Sequence, residues 1–203
     1  RPSYGNLNPS IDYYDAISYR VGNPQLRPCI TNNIKLTYNI GNVMTSVAYN
    51  HSKDKIIELP FWKDNGIENK NIEWRSVNFD KSSAIVATAV YSYNLGPIQG
   101  DASFYFSKPF MKATFLGEER TWNKPYYNVN LSAQCPISKT SLLALEGSFD
   151  SAYSGMVTNH RSSWTLNLTY MQQLWKEKLT LLVVANDIFH TDKSNTWDME
   201  YNN

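Results

Sequence analysis

Apolar and polar residues alternate one for one along most of this chain, and a period of two restricts the backbone to extended strand. In Ile34-Lys35-Leu36-Thr37-Tyr38-Asn39-Ile40 the apolar residues take the even positions. Val129, Leu131, Ala133 and Cys135 alternate with Asn128, Asn130, Ser132 and Gln134. Trp164, Leu166, Leu168 and Tyr170 alternate with Thr165, Asn167 and Thr169. Each such strand has one apolar and one polar face. No helical stripe of comparable length is present. Met171–Lys178 has a helix-compatible composition but is too short to stand alone.

The pattern predicts an all-β fold of about eight strands, over 30–40, 43–59, 72–94, 101–115, 125–136, 142–153, 162–173 and 178–190. Pro109 interrupts the fourth. Residues 1–29 form an extended lead-in. The connections alternate in length. Gly41-Asn42, Gly96–Gly100, Ser138–Ser141 and Trp175–Lys178 are short, whereas Pro60–Asn71, Leu116–Lys124 and Ala152–Ser162 are longer. Such alternation fits an antiparallel up-and-down meander in which neighbours in sequence pair, with tight turns at one end and loops at the other. Gly41-Asn42 is expected to be a hairpin turn with both residues at φ > 0.

The function depends on where the apolar faces point. Turned inward, they make a soluble lipocalin-like or carbohydrate-binding β domain. Turned outward, into lipid, they make a membrane barrel with a wet lumen. The polar faces carry Asn, Ser, Thr and Gln more than Lys and Glu, and charged residues are 18% of the chain, against about 25% in ordinary domains. A soluble sheet usually charges its exposed face and edges. Aromatic content is 14%, with 14 Tyr and 6 Trp. Tyr91 and Tyr93 precede a turn, Tyr126 and Tyr127 open a strand, and Trp175 sits at a turn, as girdles at two water–lipid interfaces would require. Both readings stand at this point.

Several classes are disfavoured. A net charge of +1 gives no electrostatic case for nucleic acid. The longest apolar run, Leu181–Ala185, is far below the 20 or so residues of a membrane helix. Cys29 and Cys135 lie near opposite strand ends and are expected to be unpaired. His51, His160 and His190 are scattered without metal-ligand spacing. Asp64-Asn65-Gly66-Ile67-Glu68 lacks the full ligand ladder of a calcium loop. Ser82-Ser83 and Ser162-Ser163 lack nucleophile-elbow glycines, and no helix follows Gly96–Gly100 to make a phosphate cradle. No catalytic residue, metal or cofactor is expected, and no enzyme. The chain opens Arg-Pro-Ser-Tyr, without Met or an apolar run, as expected of a processed precursor or of a piece of a longer chain.

Two stretches carry a resemblance. The first is Arg1-Pro2-Ser3-Tyr4, Leu7-Asn8-Pro9, Tyr14-Asp15, Tyr19, Gly22-Asn23-Pro24, Leu26 and Pro28, followed by a strand. The second is Leu174-Trp175, Lys178-Leu179-Thr180-Leu181 and Asn186-Asp187-Ile188-Phe189. Together they resemble the C-terminal portion of Bacteroidetes TonB-dependent outer-membrane receptors of the outer-membrane β-barrel family. The resemblance spans nearly the whole chain and is weakest at 60–71 and 116–124. His190 stands where that family commonly has Asn.

The resemblance implies that 1–203 is one C-terminal segment of a 22-stranded transmembrane barrel, roughly a third of it. The plug, the TonB-contacting segment, the closing strand and the precursor's signal lie outside this sequence. It implies a Gram-negative outer-membrane location, uptake of a small nutrient or metal chelate, and partnership with lipid and, through the plug, with TonB. Ile34, Leu36, Tyr38, Leu166 and Leu168 should then face lipid. Gly22-Asn23-Pro24 should form a structural turn in which Gly22 supplies positive φ. Phe61, Trp62, Trp122, Tyr126 and Tyr153, on the loops, are the candidate ligand contacts, with plain packing as their competing role.

Overall fold

The computed structural model describes residues 1–64, 70–115, 118–155, 158–176, 178–192 and 198–199. In chain order the elements are α1 (Tyr4–Leu7), β1 (Ile11–Tyr13), β2 (Ser18–Val21), β3 (Ile30–Ile40), β4 (Val43–Asp64), β5 (Lys70–Leu95), β6 (Ile98–Phe115) and β7 (Glu118–Trp122). Then come β8 (Tyr126–Ser138), β9 (Ser141–Asp150), β10 (Tyr153–Ser154), β11 (Thr158–His160), β12 (Ser163–Leu174), β13 (Leu179–Ala185) and β14 (Asp198–Met199).

Eight long strands form the meander the alternation predicts. The order β3-β4-β5-β6-β8-β9-β12-β13 is antiparallel throughout. Among the described residues there is no helix within this span. Among the described residues β3 pairs only with β4 and β13 only with β12, so the sheet is an open wall with two free edges. Cys29 and Cys135 are free thiols.

The Gly41-Asn42 turn departs from expectation. Gly41 has φ 52°, but Asn42 does not share the positive φ. A two-residue hairpin with glycine first and positive φ there alone is a type II′ turn. The Gly96-Pro97 turn repeats the arrangement: Gly96 has φ 63°, and the proline ring fixes the negative φ of the second position. Pro109 does not break its strand. It pairs with Ala84 on β5, while pairing with β8 has already ended at Ser107, so its missing N–H is needed by no neighbour there.

The hairpin of β4 and β5 is longer than the wall. β3 is 11 residues, matched against Val43–Lys53, whereas β4 and β5 run 22 and 26 residues. Eleven residues tilted by about 45° rise roughly 26 Å, the height of the apolar band of an outer-membrane barrel. The remainder projects past the loop end, so Pro60–Asp64, read as loop, is strand. There it gathers a small core of Leu59, Phe79 and Met111, with Ile57, Phe61, Val77 and Trp122 against it. The other long loops also fold back: β7 pairs with the end of β6, and β10, β11 and β14 form a three-stranded sheet of their own. Residues 65–68 of the Asp64–Glu68 stretch lie outside the described residues, as does most of the tail after Asp192.

The lead-in is more ordered than expected. β1 pairs with β2, and β2 lies parallel to β5 through Ser18↔Ile72 to Val21↔Arg75. β6 covers β5 only from Ser82 onward, so the edge of β5 above that point is open, and β2 fills it. The chain then returns to β3 under several ties. Arg20 Nε lies 2.8 Å from Glu58 Oε1, and Arg27 Nη2 lies 2.7 Å from Asp54 Oδ1. The Asn78 amide donates to the Arg27 and Asp54 carbonyls at 3.0 and 2.9 Å. Asp54 is itself a non-glycine residue at φ 55°.

The Gly22-Asn23-Pro24 turn is present, but Gly22 has no positive φ. It is needed for close approach. A Cβ there would lie 2.0 Å from the Asn8 carbonyl oxygen. Asn23 closes the turn, accepting from the Gln25 amide at 3.0 Å, and anchors it by donating to the Ser76 carbonyl at 3.0 Å.

Candidate functional site

The registers carry side-chain alternation across the whole wall. One row runs Tyr38, Thr45, Ala89, Phe104, Val129, Phe149, Trp164, and the next runs Ile40, Val43, Tyr91, Ala102, Leu131, Gly147, Leu166. A third includes Ala133, Leu145, Leu168 and Ala185. These belong to one face, which is apolar in these rows but for Thr45. Ile34 and Leu36 on that face are 74% and 73% exposed, and Leu131 is 49% exposed. Leu166 and Leu168 are half-buried; Leu166 lies across Gly147, 3.6 Å from where a Cβ would be, and Leu168 lies between Leu145 and Ala185. Aromatic residues border the face. Tyr127 stacks on Phe149 and Trp164 meets Phe189 at the loop end, whereas Tyr91 and Tyr93 approach each other at the turn end.

The opposite face is polar along the same registers. Thr37, Ser46, Thr88, Tyr105, Asn128, Asp150 and Ser163 form one row, and Ser103, Asn130, Ser148 and Thr165 fall in the next. Its side chains bond to one another. Ser46 meets Thr88 at 2.8 Å, Ser148 meets Thr165 at 2.7 Å, and Asn130 donates to Ser103 at 3.3 Å. Toward the turn end Asp101, Ser132, Glu146 and Asn167 line a shallow recess of about 220 Å³. Uncharged hydroxyls and amides that satisfy each other suit a hydrated wall.

The five candidate ligand contacts separate. Phe61 and Trp122 pack against the small core of the projecting hairpin. Phe79 meets Trp122 edge-on with ring centroids 6.3 Å apart, and the Arg75 guanidinium lies 4.6 Å over the Phe61 ring. Trp62, next along β4, is half-buried. Tyr126 and Tyr153 come together instead, T-shaped at 5.2 Å. Tyr126 shares the polar face with Tyr105, 5.9 Å away, while its neighbour Tyr127 is on the apolar face. Only one of this tyrosine pair can therefore serve an interfacial girdle.

Around Tyr126 the wall forms a vestibule of about 380 Å³, lined by Tyr105, Ser107, Lys124, Tyr126, Tyr153 and Ser154, with Pro109 at its margin. That volume falls in the range of small-molecule sites. Tyr126 donates to Asp150 Oδ1 at 2.5 Å, and the Asn128 amide donates to the same oxygen at 2.9 Å. Tyr153 stacks on His160 at 4.0 Å with an interplanar angle of 10°. Burial, and then the nearby Asp150 charge, hold the Tyr153 hydroxyl above its ordinary pKa, so it stays protonated. Tyr105, Lys124 and Asp150 were not legible as site residues. Nothing in the local sequence marks them, and only the registers Tyr105↔Asn128 and Asn128↔Asp150 bring two of them together.

Among the described residues no three His, Cys, Asp or Glu side chains gather as a metal site. His51 bonds through Nδ1 to Ser83 Oγ at 2.8 Å, and His190 sits in a turn at φ 54°.

The chain belongs to the outer membrane protein β-barrel family, whose model matches residues 1–203. This membership places the protein in an outer membrane. A comparison with curated proteins gives no match.

Proposed function

From membership in the outer membrane protein β-barrel family, we propose that this chain forms part of the barrel of a TonB-dependent receptor for a small nutrient or metal chelate. The receptor would be of the Bacteroidetes type, and the chain would supply the C-terminal third of a 22-stranded wall. The observation that carries this reading is the wall itself. Eight strands expose a largely apolar face, yet among the described residues the outer edges of β3 and β13 have no partner strand. In hydrocarbon an unpaired strand edge costs several kcal/mol per polar group, so further strands must complete the ring. The projecting β4–β5 hairpin and the folded loops at the same end fit a receptor that captures ligand outside the cell. The two segments that resemble TonB-dependent receptors, at 1–28 and 174–189, support the energised transport reading over a passive pore.

A soluble lipocalin-like domain is poorly compatible with these features. Such a fold must bury its apolar face, whereas among the described residues the buried hydrophobic ones are Leu26, Ala48, Leu59, Phe79 and Met111.

Site-directed photo-cross-linking to TonB in cells expressing the full-length protein, paired with planar-bilayer conductance, tests the proposal. A TonB adduct together with a closed, non-conducting barrel is expected. Steady open-channel conductance without a TonB adduct would replace the receptor with a pore.

A further inference from the structure

We propose that the vestibule lined by Tyr105, Tyr126 and Tyr153 is a binding subsite for a neutral, hydroxyl-rich ligand with the chemistry of a pyranose sugar. The proposal rests on the receptor reading above and names its substrate class.

The first argument is position. Tyr105, Tyr126 and Asp150 lie on the polar face; Tyr126 opens β8 and Asp150 closes β9 at the loop end, and Tyr105, midway along β6, stands two residues before the pairing of β6 with β8 ends at Ser107. A ligand entering from outside meets this part of the wall before the recess nearer the turns.

The second argument is shape. The three rings are fixed at steep mutual angles: 57° between Tyr105 and Tyr126, and 73° between Tyr126 and Tyr153. His160 stacks on Tyr153 and braces it. Inclined, braced rings present apolar surface on more than one side of a ligand at little cost in side-chain entropy. The axial C–H face of a pyranose suits such a surface.

The third argument is the sign and direction of the polar groups. The Tyr126 proton is committed to Asp150, so its oxygen offers the ligand lone pairs only. Lys124 offers donors only, and Ser107 and Ser154 offer both. A sugar hydroxyl donates and accepts, and so satisfies every one of these groups. A quaternary ammonium, the usual guest of an aromatic cage, would meet Lys124 and leave the Tyr126 acceptor without a donor. An anionic chelate would meet the Tyr126 oxygen backed by the Asp150 carboxylate. The single cation and single carboxylate offset each other, so the site has no net charge to attract either ion.

The test uses full-length protein in detergent micelles and calorimetry with glucose-, galactose- and xylose-based oligosaccharides, choline and 2,3-dihydroxybenzoate. Binding of at least one oligosaccharide is expected. Tyr126→Ala and Tyr153→Ala should each weaken it about tenfold or more, and Tyr126→Phe, which keeps the ring, should weaken it less. Thr37→Ala, distant on the same face, should leave it unchanged. Heat-modifiable gel migration verifies that each variant is folded. Failure of every oligosaccharide to bind, preferential binding of choline or the benzoate, or sugar binding indifferent to the tyrosine variants would overturn the proposal. Binding in micelles needs no TonB, so this result and the cross-linking result stand or fall separately.

Discussion

The Tyr93 hydroxyl donates to the main-chain carbonyl of Ser132 at 2.7 Å, and to do so it reaches across the whole of β6. Tyr93 is on β5 and Ser132 on β8, so the bond spans two strand spacings. Gly100, paired with both Tyr93 and Ala133, makes this possible. A Cβ at Gly100 would lie 2.0 Å from the Ser132 oxygen and 2.8 Å from the Tyr93 hydroxyl. An aromatic residue laid over a strand glycine covers the backbone that the glycine leaves bare and pins the register of three strands.

Tyr93→Phe keeps the ring and deletes the bond, and should cost about 1 kcal/mol of unfolding free energy. Gly100→Ala forces backbone apart and should cost more, about 1–3 kcal/mol or beyond. Urea titration of full-length protein in liposomes measures both. Equal effects from the two substitutions would show that the glycine is not a structural requirement.

The two faces of β12 should respond oppositely to charge. Leu168 is on the apolar face and Asn167 on the polar face, with Asn167 Oδ1 accepting from the Asp187 amide at 2.8 Å. Leu168→Arg should cost about 2–4 kcal/mol near the bilayer midplane, whereas Asn167→Arg should lose no more than that one hydrogen bond. A fluorophore at position 168 should be reached by lipid-phase quenchers and one at 167 spared. Quenching at 167 alone would invert the assigned faces.

Gly22→Ala should release the lead-in without dissolving the wall. The new methyl meets the Asn8 backbone, which has no room to move while Asn23 holds Ser76. Limited proteolysis should then cut within residues 1–29 while the long strands stay protected. Unchanged resistance would mean that the close approach to Asn8 can relax.

Asp15 gives a pH test. Its carboxylate accepts from the Ile17 and Ser18 amides at 2.8 and 2.7 Å and from the Ser18 hydroxyl at 2.9 Å. The Ile17 amide bond is the largest cause, and its pKa is held below the ordinary 3.8. A folded pKa below the unfolded one stabilises the turn fully above about pH 4, and this contribution fades as pH falls through the folded value. NMR shifts of the two amides should titrate with a midpoint under 3.8, and Asp15→Asn should abolish the transition. A midpoint at or above that value would remove the carboxylate from the turn.

The period of two was enough to place the eight long strands of the wall and the composition of each face, and with the short turns between them it gave their order. A strand exposes its side chains alternately whatever its neighbours do, and tight turns leave consecutive strands little choice but to pair. Leu166 and Leu168 on β12, and Ile34, Leu36 and Tyr38 on β3, were therefore legible as the apolar faces of their strands without coordinates. Tertiary structure alone decided what depends on register and on the return of distant chain. β2 finds the edge of β5 because β6 stops at Ser82, a fact about two strand lengths that no local pattern records. Gly22 matters because Asn8 passes over it, although it reads as an ordinary turn glycine. The vestibule joins Tyr105, Tyr126 and Tyr153 from three strands, and a slip of one residue in any pairing would turn a ring to the other side of the wall. Strand periodicity says which residues share a face, and only the hydrogen-bonded register says which of them meet.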